Sequence, residues 1–265
     1  MTGRLVVCPT PIGNLEDVTL RVLTALRDAD VIACEDTRTT KVLLDRYGVS
    51  AERVRYDANV ERRVAPKLVE RMRSGEVVAL VSDAGMPLVS DPGFVLVQAC
   101  VAAGLAVEVL PGPSAALAAL VVSGLPAETW RFVGFLPRKR GGLEAAFRVP
   151  ETLVAFESPR RLPASLRSLA AAFPERQLAV CRELTKKFEE VARGSAAEVA
   201  DRFSEAPRGE ITLVIGGGET ERGEDDDARA AVSELVAAGA GRRQAADVVA
   251  RLTGRSRNEL YRSSL

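Results

Sequence analysis

Histidine is absent from all 265 residues of the chain, and that absence removes more chemistry than any other feature of the composition. Without imidazole there is no Ser-His-Asp triad, no histidine-bearing metal site and no histidine acid or base near neutral pH. Proton transfer, if any, falls to carboxylate, lysine, tyrosine or cysteine. Cysteine is scarce: Cys8, Cys34, Cys100 and Cys181 lie 26, 66 and 81 positions apart. With no C-x-x-C spacing they offer neither a zinc site nor a dithiol couple. Buried thiols in a reducing cytoplasm, and no metal, are the expectation. Long apolar runs are missing. The longest, Ala115 to Val122, falls far short of the roughly 20 residues that cross a bilayer. The opening MTGRLVVCPTP has neither the charged start nor the apolar stretch of a secretory signal, so a cytoplasmic location without a membrane partner is expected. No sign of charge dominates, because Lys+Arg and Asp+Glu both number 36. Any nucleic-acid contact must therefore come from a local patch. Finally, no G-x-x-x-x-G-K-[ST] occurs and no G-x-G-x-x-G follows the first apolar run, which leaves P-loop and NAD readings weak.

What is present is alternation. Leu5–Cys8, Val31–Cys34, Val77–Val81 and Val107–Leu110 have the β-branched character of strands, separated by helical patterns near 19–29, 38–47, 61–74, 93–103 and 114–123. That order predicts a parallel sheet covered on both faces. After S-G-L-P at Ser123–Pro126 the order changes: Trp130–Gly134, Thr152–Phe156, Leu178–Arg182, a short run near 188–193 and Ile211–Ile215 predict strands, with helices near 158–172 and 195–203. The fold class is α/β, with one domain over 1–124 and a second over 125–218. Residues 219–227, ETERGEDDD, are expected to be an acidic, disordered linker. Beyond it, 228–265 carries seven Arg against Glu234, Asp247 and Glu259, a net +4, which leaves −4 on the rest. In this basic tail Ala246, Val249 and Leu252 are expected on one helical face, with a break at Gly254 and a restart capped by Ser256, giving two short helices around a turn.

The loops after the strands hold the unusual residues. PTPIGNLED (9–17) follows the first strand, SDAGMPLVSDPG (82–93) the third, and PGPSAALAAL (111–120) the fourth. Proline and glycine shape backbone there, and open α/β sheets bind ligands at the carboxyl ends of their strands. Each loop also has a plain account as a turn or helix cap, with Asp83 and Asp91 either binding hydroxyls or capping. EDTRTT (35–40) places Glu35, Asp36 and Arg38 at the end of the second strand, as caps or as part of the same cleft. In the second domain GFLPRKR (134–140), FESPRRL (156–162) and RELTKKFEE (182–190) put cations at three strand ends, which favours an anionic substrate over three solvated faces.

Taken in order, PTPIGNLED, EDTR, SDAGMPLVSDPG, LPGPSA, SGLP, GFLP, FESPRRL, CRELTKKFEE, RGE (208–210) and the terminal NELYRSSL strongly resemble the ribosomal RNA small-subunit methyltransferase I family, of the tetrapyrrole-methylase fold. The resemblance runs over essentially the whole chain. It implies two α/β domains with a cofactor cleft between them, and S-adenosylmethionine-dependent 2′-O-methylation of a cytidine ribose in the decoding region of 16S RNA. It also implies a homodimer whose partner is that RNA or the small ribosomal subunit. The departures concern histidine: Thr39, Arg160 and the stretch Tyr56 to Glu61 stand where the family shows histidine, and Met86 where it shows threonine.

Carried over by matching motif, the resemblance implies cofactor contacts at Pro11, Asp83, Ala84, Gly85, Pro87, Ser114, Ala115, Phe135, Leu136, Glu157, Ser158, Leu184 and Glu210. Asp36, Glu157, Glu183 and Lys186 remain open as candidates for a proton acceptor; a carboxylate would need burial to raise its pKa, a lysine burial or a cationic neighbour to lower it. RNA contacts are expected at Arg38, Arg138, Lys139, Arg140, Arg160, Arg161, Lys187, Arg242, Arg243, Arg255 and Arg257, with Lys186 a further cation among them. Two rival readings are a corrinoid-precursor methyltransferase, which shares the fold, and a non-catalytic RNA-binding assembly factor.

Overall fold

The structure is a computed structural model that describes residues 3–218 and 222–263. Five short strands pair in parallel: β1 (Arg4–Val7), β2 (Val31–Cys34), β3 (Glu52–Arg55), β4 (Val77–Val81) and β5 (Ala106–Val109), in the order β3-β2-β4-β1-β5. Leu5 lies opposite Val78 on one side and Val107 on the other. Alternate residues of the central strands enter opposite cores. Leu5, Val7 and Leu80 meet Leu68 and Met72 of α3 (Glu61–Arg73) and Leu96 and Cys100 of α4 (Phe94–Ala102). Val6, Ile32 and Val81 meet Val22 and Leu26 of α1 (Leu20–Asp28) and Leu43 and Leu44 of α2 (Thr37–Arg46). With both faces covered, these strands are continuously apolar. The edge strand β3 has no counterpart among the expected strands, because its sequence ERVR offers one apolar residue; charge on an edge blocks further pairing.

The second sheet contains β6 (Trp130–Phe135), β7 (Thr152–Glu157), β8 (Gln177–Arg182), β9 (Glu190–Ser195) and β10 (Ile211–Ile215), ordered β6-β7-β10-β8-β9. Only β6 and β7 run parallel. Helices α6 (Arg140–Phe147), α7 (Leu162–Ala172) and α8 (Ala196–Arg202) accompany it; the opening Arg-Gly-Gly of α6 hides it in the sequence. The small-residue helix α5 (Ala115–Ser123) follows β5 directly but packs on this second sheet, with Ala116, Ala119 and Leu120 against Val154, Ala179, Cys181 and Val214. A boundary at 124/125 therefore separates α5 from the core it fills. Both sheets lie in one compact unit, which takes in the described chain up to Phe147 and then Glu151–Gly216.

Arg148–Pro150 and the chain from Gly217 onward form another unit. Here α9 (Arg222–Ala237), α10 (Arg242–Thr253) and α11 (Arg257–Ser263) bury Ala228, Val232, Ala245, Ala246, Val249 and Leu260. The expected linker is corrected in part. Residues 219–221 lie outside the described residues, whereas 222–227 begin α9, since carboxylates in a first helical turn complement the helix dipole. Gly254 breaks the chain in the left-handed region at φ 71°. Leu252, expected to share the apolar face, is 78% exposed. Six residues beyond Ala246 it lies roughly 240° further round the helix. Among the described residues no helix is long and apolar enough to cross a membrane, and all four cysteines are free and buried.

Candidate functional site

The loops at the carboxyl end of the first sheet are fastened to one another by their backbones. Thr10 and Gly85 exchange two hydrogen bonds, with Thr10 N–H donating to the Gly85 carbonyl at 2.9 Å and the reverse at 3.0 Å. The Thr10 hydroxyl donates to Ser82 O (3.0 Å) and the Ser82 hydroxyl to Gly85 O (3.1 Å). Gly85 sits at φ +80°, and a Cβ there would come within 3.3 Å of Ile12 Cγ2, so glycine is the residue that fits. The third loop presses equally close: a Cβ on Gly112 would lie 2.3 Å from Pro9 Cγ. The first loop also meets the second sheet, where Asn14 N–H donates to Thr185 Oγ1 at 3.1 Å.

Between these loops and the second sheet lies a cavity of about 500 Å³. Ile12, residues 84–86 and 89–91, Ser114 and Ala115 line it from one side; Phe135, residues 156–159, Cys181, Leu184 and residues 209–212 line it from the other. Of the residues offered for the cofactor, Ala84, Gly85, Ser114, Ala115, Phe135, Glu157, Ser158, Leu184 and Glu210 border the cavity. Pro11, Asp83, Pro87 and Leu136 are not on its wall. Pro11 and Pro87 are buried within their loops. Leu136 is buried, its N–H bonded to Phe156 O at 3.0 Å. Asp83 accepts the Asp36 N–H at 3.1 Å, which ties the second loop to the end of β2. Ser114 caps α5 by accepting the Leu117 N–H.

The four proton-acceptor candidates are all engaged. Asp36 caps α2 and pairs with Arg38 at 2.7 Å; the Arg38 guanidinium and N–H hold its carboxyl down at about 2. Glu157, 2% exposed, accepts the Ser158 N–H at 2.7 Å and the Ser165 hydroxyl at 2.6 Å, with Arg161 at 3.3 Å. Glu183 accepts Lys186 Nζ at 2.8 Å and the Glu210 N–H at 3.0 Å, and those bonds hold its carboxyl below the usual range. Burial works to lower the Lys186 pKa, but Glu183 and Glu210 outweigh it and keep it above the ordinary lysine value. Lys186 is a brace cation and does not meet the condition for a lysine base.

A different carboxylate meets the condition for an acidic group. Asp91 lines the cavity, and its carboxyl is pushed up to about 6, first by burial and then by the charges of Glu35 and Asp83, with the Ser82 hydroxyl opposing. Burial likewise raises Glu35 and Asp83. The sequence places Asp91 in the right loop as a hydroxyl ligand or cap; its burial among two other acids has no sequence signal.

The cations expected at RNA fall into two groups. Arg138, Lys139, Arg160 and Lys187 are exposed, as is Arg38 beside Asp36. Arg161 instead turns inward, donating to the Leu136 and Pro137 carbonyls at 3.0 and 2.9 Å beside Glu157. Those bonds join the ends of β6 and β7. The Arg140 side chain lies outside the described residues. In the helical unit Arg242 and Arg243 are exposed, Arg255 is half-buried, and Arg257 pairs with Asp247 at 2.5 Å. No lysine or arginine is on the cavity wall among the described residues, nor do three His, Cys, Asp or Glu side chains converge there to hold a metal.

Residues 4–200 match the family described as Tetrapyrrole (Corrin/Porphyrin) Methylases. A ribosomal RNA small subunit methyltransferase I from Micromonospora olivasterospora is 42% identical over 268 residues, covering 98% of this chain and 86% of that protein. The chain belongs to the ribosomal RNA small subunit methyltransferase I family of the tetrapyrrole methylases. A namesake from Mesorhizobium japonicum is 51% identical over 172 residues, 63% of this chain. That alignment spans 58% of the relative, little more than half its length. Among solved structures, uroporphyrin-III C-methyltransferase from Thermus thermophilus, complexed with S-adenosylhomocysteine, superposes with a TM-score of 0.58. At 24% identity over 83% of this chain and 99% of that one, it is a likeness of fold.

Proposed function

We propose that this family member transfers a methyl group from S-adenosylmethionine to the 2′-oxygen of a cytidine ribose in the decoding region of 16S ribosomal RNA. The observation that carries the reading is the character of the cavity wall. Its charged groups among the described residues are the acids Asp91, Glu157 and Glu210, and no lysine or arginine stands among them. A nucleotide phosphate would find no counter-charge there, whereas a cationic, phosphate-free sulfonium fits. The volume of about 500 Å³ also falls in the range of small-molecule sites, roughly 300–1,000 Å³. The names of the relatives point to ribosomal RNA, and the Thermus neighbour to the demethylated donor as ligand.

When bound, the donor supplies a methyl carbon on a sulfonium, which leaves as a neutral thioether. The chain's own residues hold and orient. Backbone groups of the 84–91 loop and the Ser114 cap form one wall; Ile12, Phe135, Phe156 and Leu184 supply apolar surface that excludes water. Such alignment is worth roughly 7–11 kcal/mol of barrier. Arg38, Arg138, Lys139, Arg160 and Lys187, with Arg242 and Arg243 of the helical unit, contact phosphates. The working form is a cytoplasmic homodimer, and a monomer in light scattering would contradict that part.

The test offers radiolabelled donor with small ribosomal subunits, with naked 16S RNA and with a tetrapyrrole, then maps the label. Label on a ribose of the RNA is expected. Label on the tetrapyrrole alone would favour the corrinoid reading, and particle binding without turnover the assembly-factor reading. Arg242→Glu with Arg243→Glu should weaken binding to the particle and leave donor affinity unchanged.

A further inference from the structure

Three carboxylates border the cavity among the described residues, and two are committed. Glu157 has both oxygens engaged by Ser158, Ser165 and Arg161. Glu210 is tied to Lys186 at 2.9 Å, with its side chain 71% exposed. Asp91 alone of the three has no cationic partner among the described residues, and the neighbouring Ser82 hydroxyl donates to Gly85 O at 3.1 Å. Asp91 is also held firmly. Leu88 and Ser90 adopt left-handed φ values of 72° and 68°. Gly93, at φ 140°, lies so close that a Cβ would sit 2.6 Å from Leu88 Cδ1 and 2.9 Å from Leu80 Cδ2. Strained non-glycine backbone persists where surrounding contacts dictate it, and it gathers at reaction centres. We propose that Asp91 accepts the proton of the acceptor hydroxyl, a role that rests on the methyl-transfer reading above.

The step balances. The O–H bond breaks, its proton passes to an Asp91 carboxylate oxygen, and the oxygen pair becomes the new O–CH₃ bond. The C–S pair stays with sulfur. One carboxylate and one sulfonium become one carboxylic acid and one thioether, so no charge is stranded in the cavity. The charged groups that face Asp91 suit it to this proton transfer, since Glu35 from the end of β2 and Asp83 from the end of β4, both acidic, raise its affinity for the proton. A base is most effective when its pKa lies near the working pH, and about 6 leaves Asp91 ionised yet basic at pH 7.

Asp91→Asn tests the role with labelled S-adenosylmethionine and small ribosomal subunits. Single-turnover rate should fall about 10²–10⁴-fold, far more than calorimetric affinity for the donor, since Glu157 and Glu210 remain on the cavity wall. The wild-type rate should drop as pH falls through about 6, and that limb should vanish in D91N. Independently of turnover, carbon-13 carboxyl spectra of the free protein should contain one aspartate titrating near 6 that is missing from D91N. A D91N rate close to wild type overturns the proposal, as does parallel loss of donor binding, which would make Asp91 a donor ligand. Should D91N not fold, a wild-type rate that is flat through this pH range overturns it. Wild type that methylates neither particle nor free RNA would defeat the methyl-transfer reading itself, whereas active wild type with active D91N defeats only the role of Asp91.

Discussion

On the second sheet the charged groups near the cavity come in closed sets: Glu157 with Arg161 and Ser165, Glu183 and Glu210 around Lys186, and Glu190 between Arg182 and Arg202 at 2.8 and 2.7 Å. On the first sheet Glu35, Asp83 and Asp91 crowd together with no cation in ion-pair contact among the described residues. The carboxyls of Glu183 and Glu190 accordingly lie below the usual range, each through hydrogen bonds from its cation, while the first-sheet trio lies above it through burial. The same residue type thus serves as a fixed strut on one wall and as a titrating group on the other. Partner supply decides which.

The contrast can be broken most forcefully at Glu157. Glu157→Ala strips three donors of their acceptor in a buried setting, and about 3–5 kcal/mol of stability should be lost, read as a lower urea midpoint. A near-silent substitution would mean that the strut is decorative. Lys186→Met comes next, at about 1–2 kcal/mol, because the group is only partly buried. Its pH signature follows from sign. Glu183 has a lowered folded-state pKa, so its contribution is present above the ordinary carboxylate range and lost as pH falls through the lowered value. K186M should therefore flatten the acid loss of stability between pH 7 and pH 3, and denaturation at both pH values checks this.

Smaller effects of opposite sign are expected on the first sheet. Asp91 has a raised pKa, so its protonated form is the one favoured by folding, and stability declines as pH climbs from the ordinary aspartate value through about 6. Asp91→Asn should raise the melting temperature at pH 8 and leave it nearly unchanged at pH 4; a fall at pH 8 would contradict the unpaired picture. Smallest of all, Glu35→Gln removes one of the two charges acting on Asp91. Its titration should move back toward that of an ordinary aspartate, which the carboxyl spectra would register.

Much of the architecture is legible in the sequence where local signals are strong. The apolar runs of β1, β2, β4 and β10 stand between turn residues, and the structure places each within a residue of the expected position. The loops 82–93 and 111–120 advertise themselves through proline and glycine, and both contribute to the cavity wall. What escapes depends on contacts distant in sequence. The charged β3 shows its strand character only through its partner β2. Nothing local distinguishes Arg161, which turns inward, from Arg160, which does not. Asp91 and Glu35 are 56 positions apart in the chain, so their mutual repulsion exists only once the strands are aligned. The acidic run at 222–227 misleads because composition alone cannot separate a disordered segment from the first turns of a helix.

Helix α5 has a consequence for dividing the protein. It arrives from the first sheet, contributes Ala115 to the cavity wall, and fills the second core with Ala116, Ala119 and Leu120. Cutting the chain after Gly124 would leave a fragment with an unshielded greasy rod and a counterpart with a bare trough where that rod belonged. Neither piece would be expected to stay in solution by itself. Genetic fusions and split reporters built on this scaffold should be placed elsewhere.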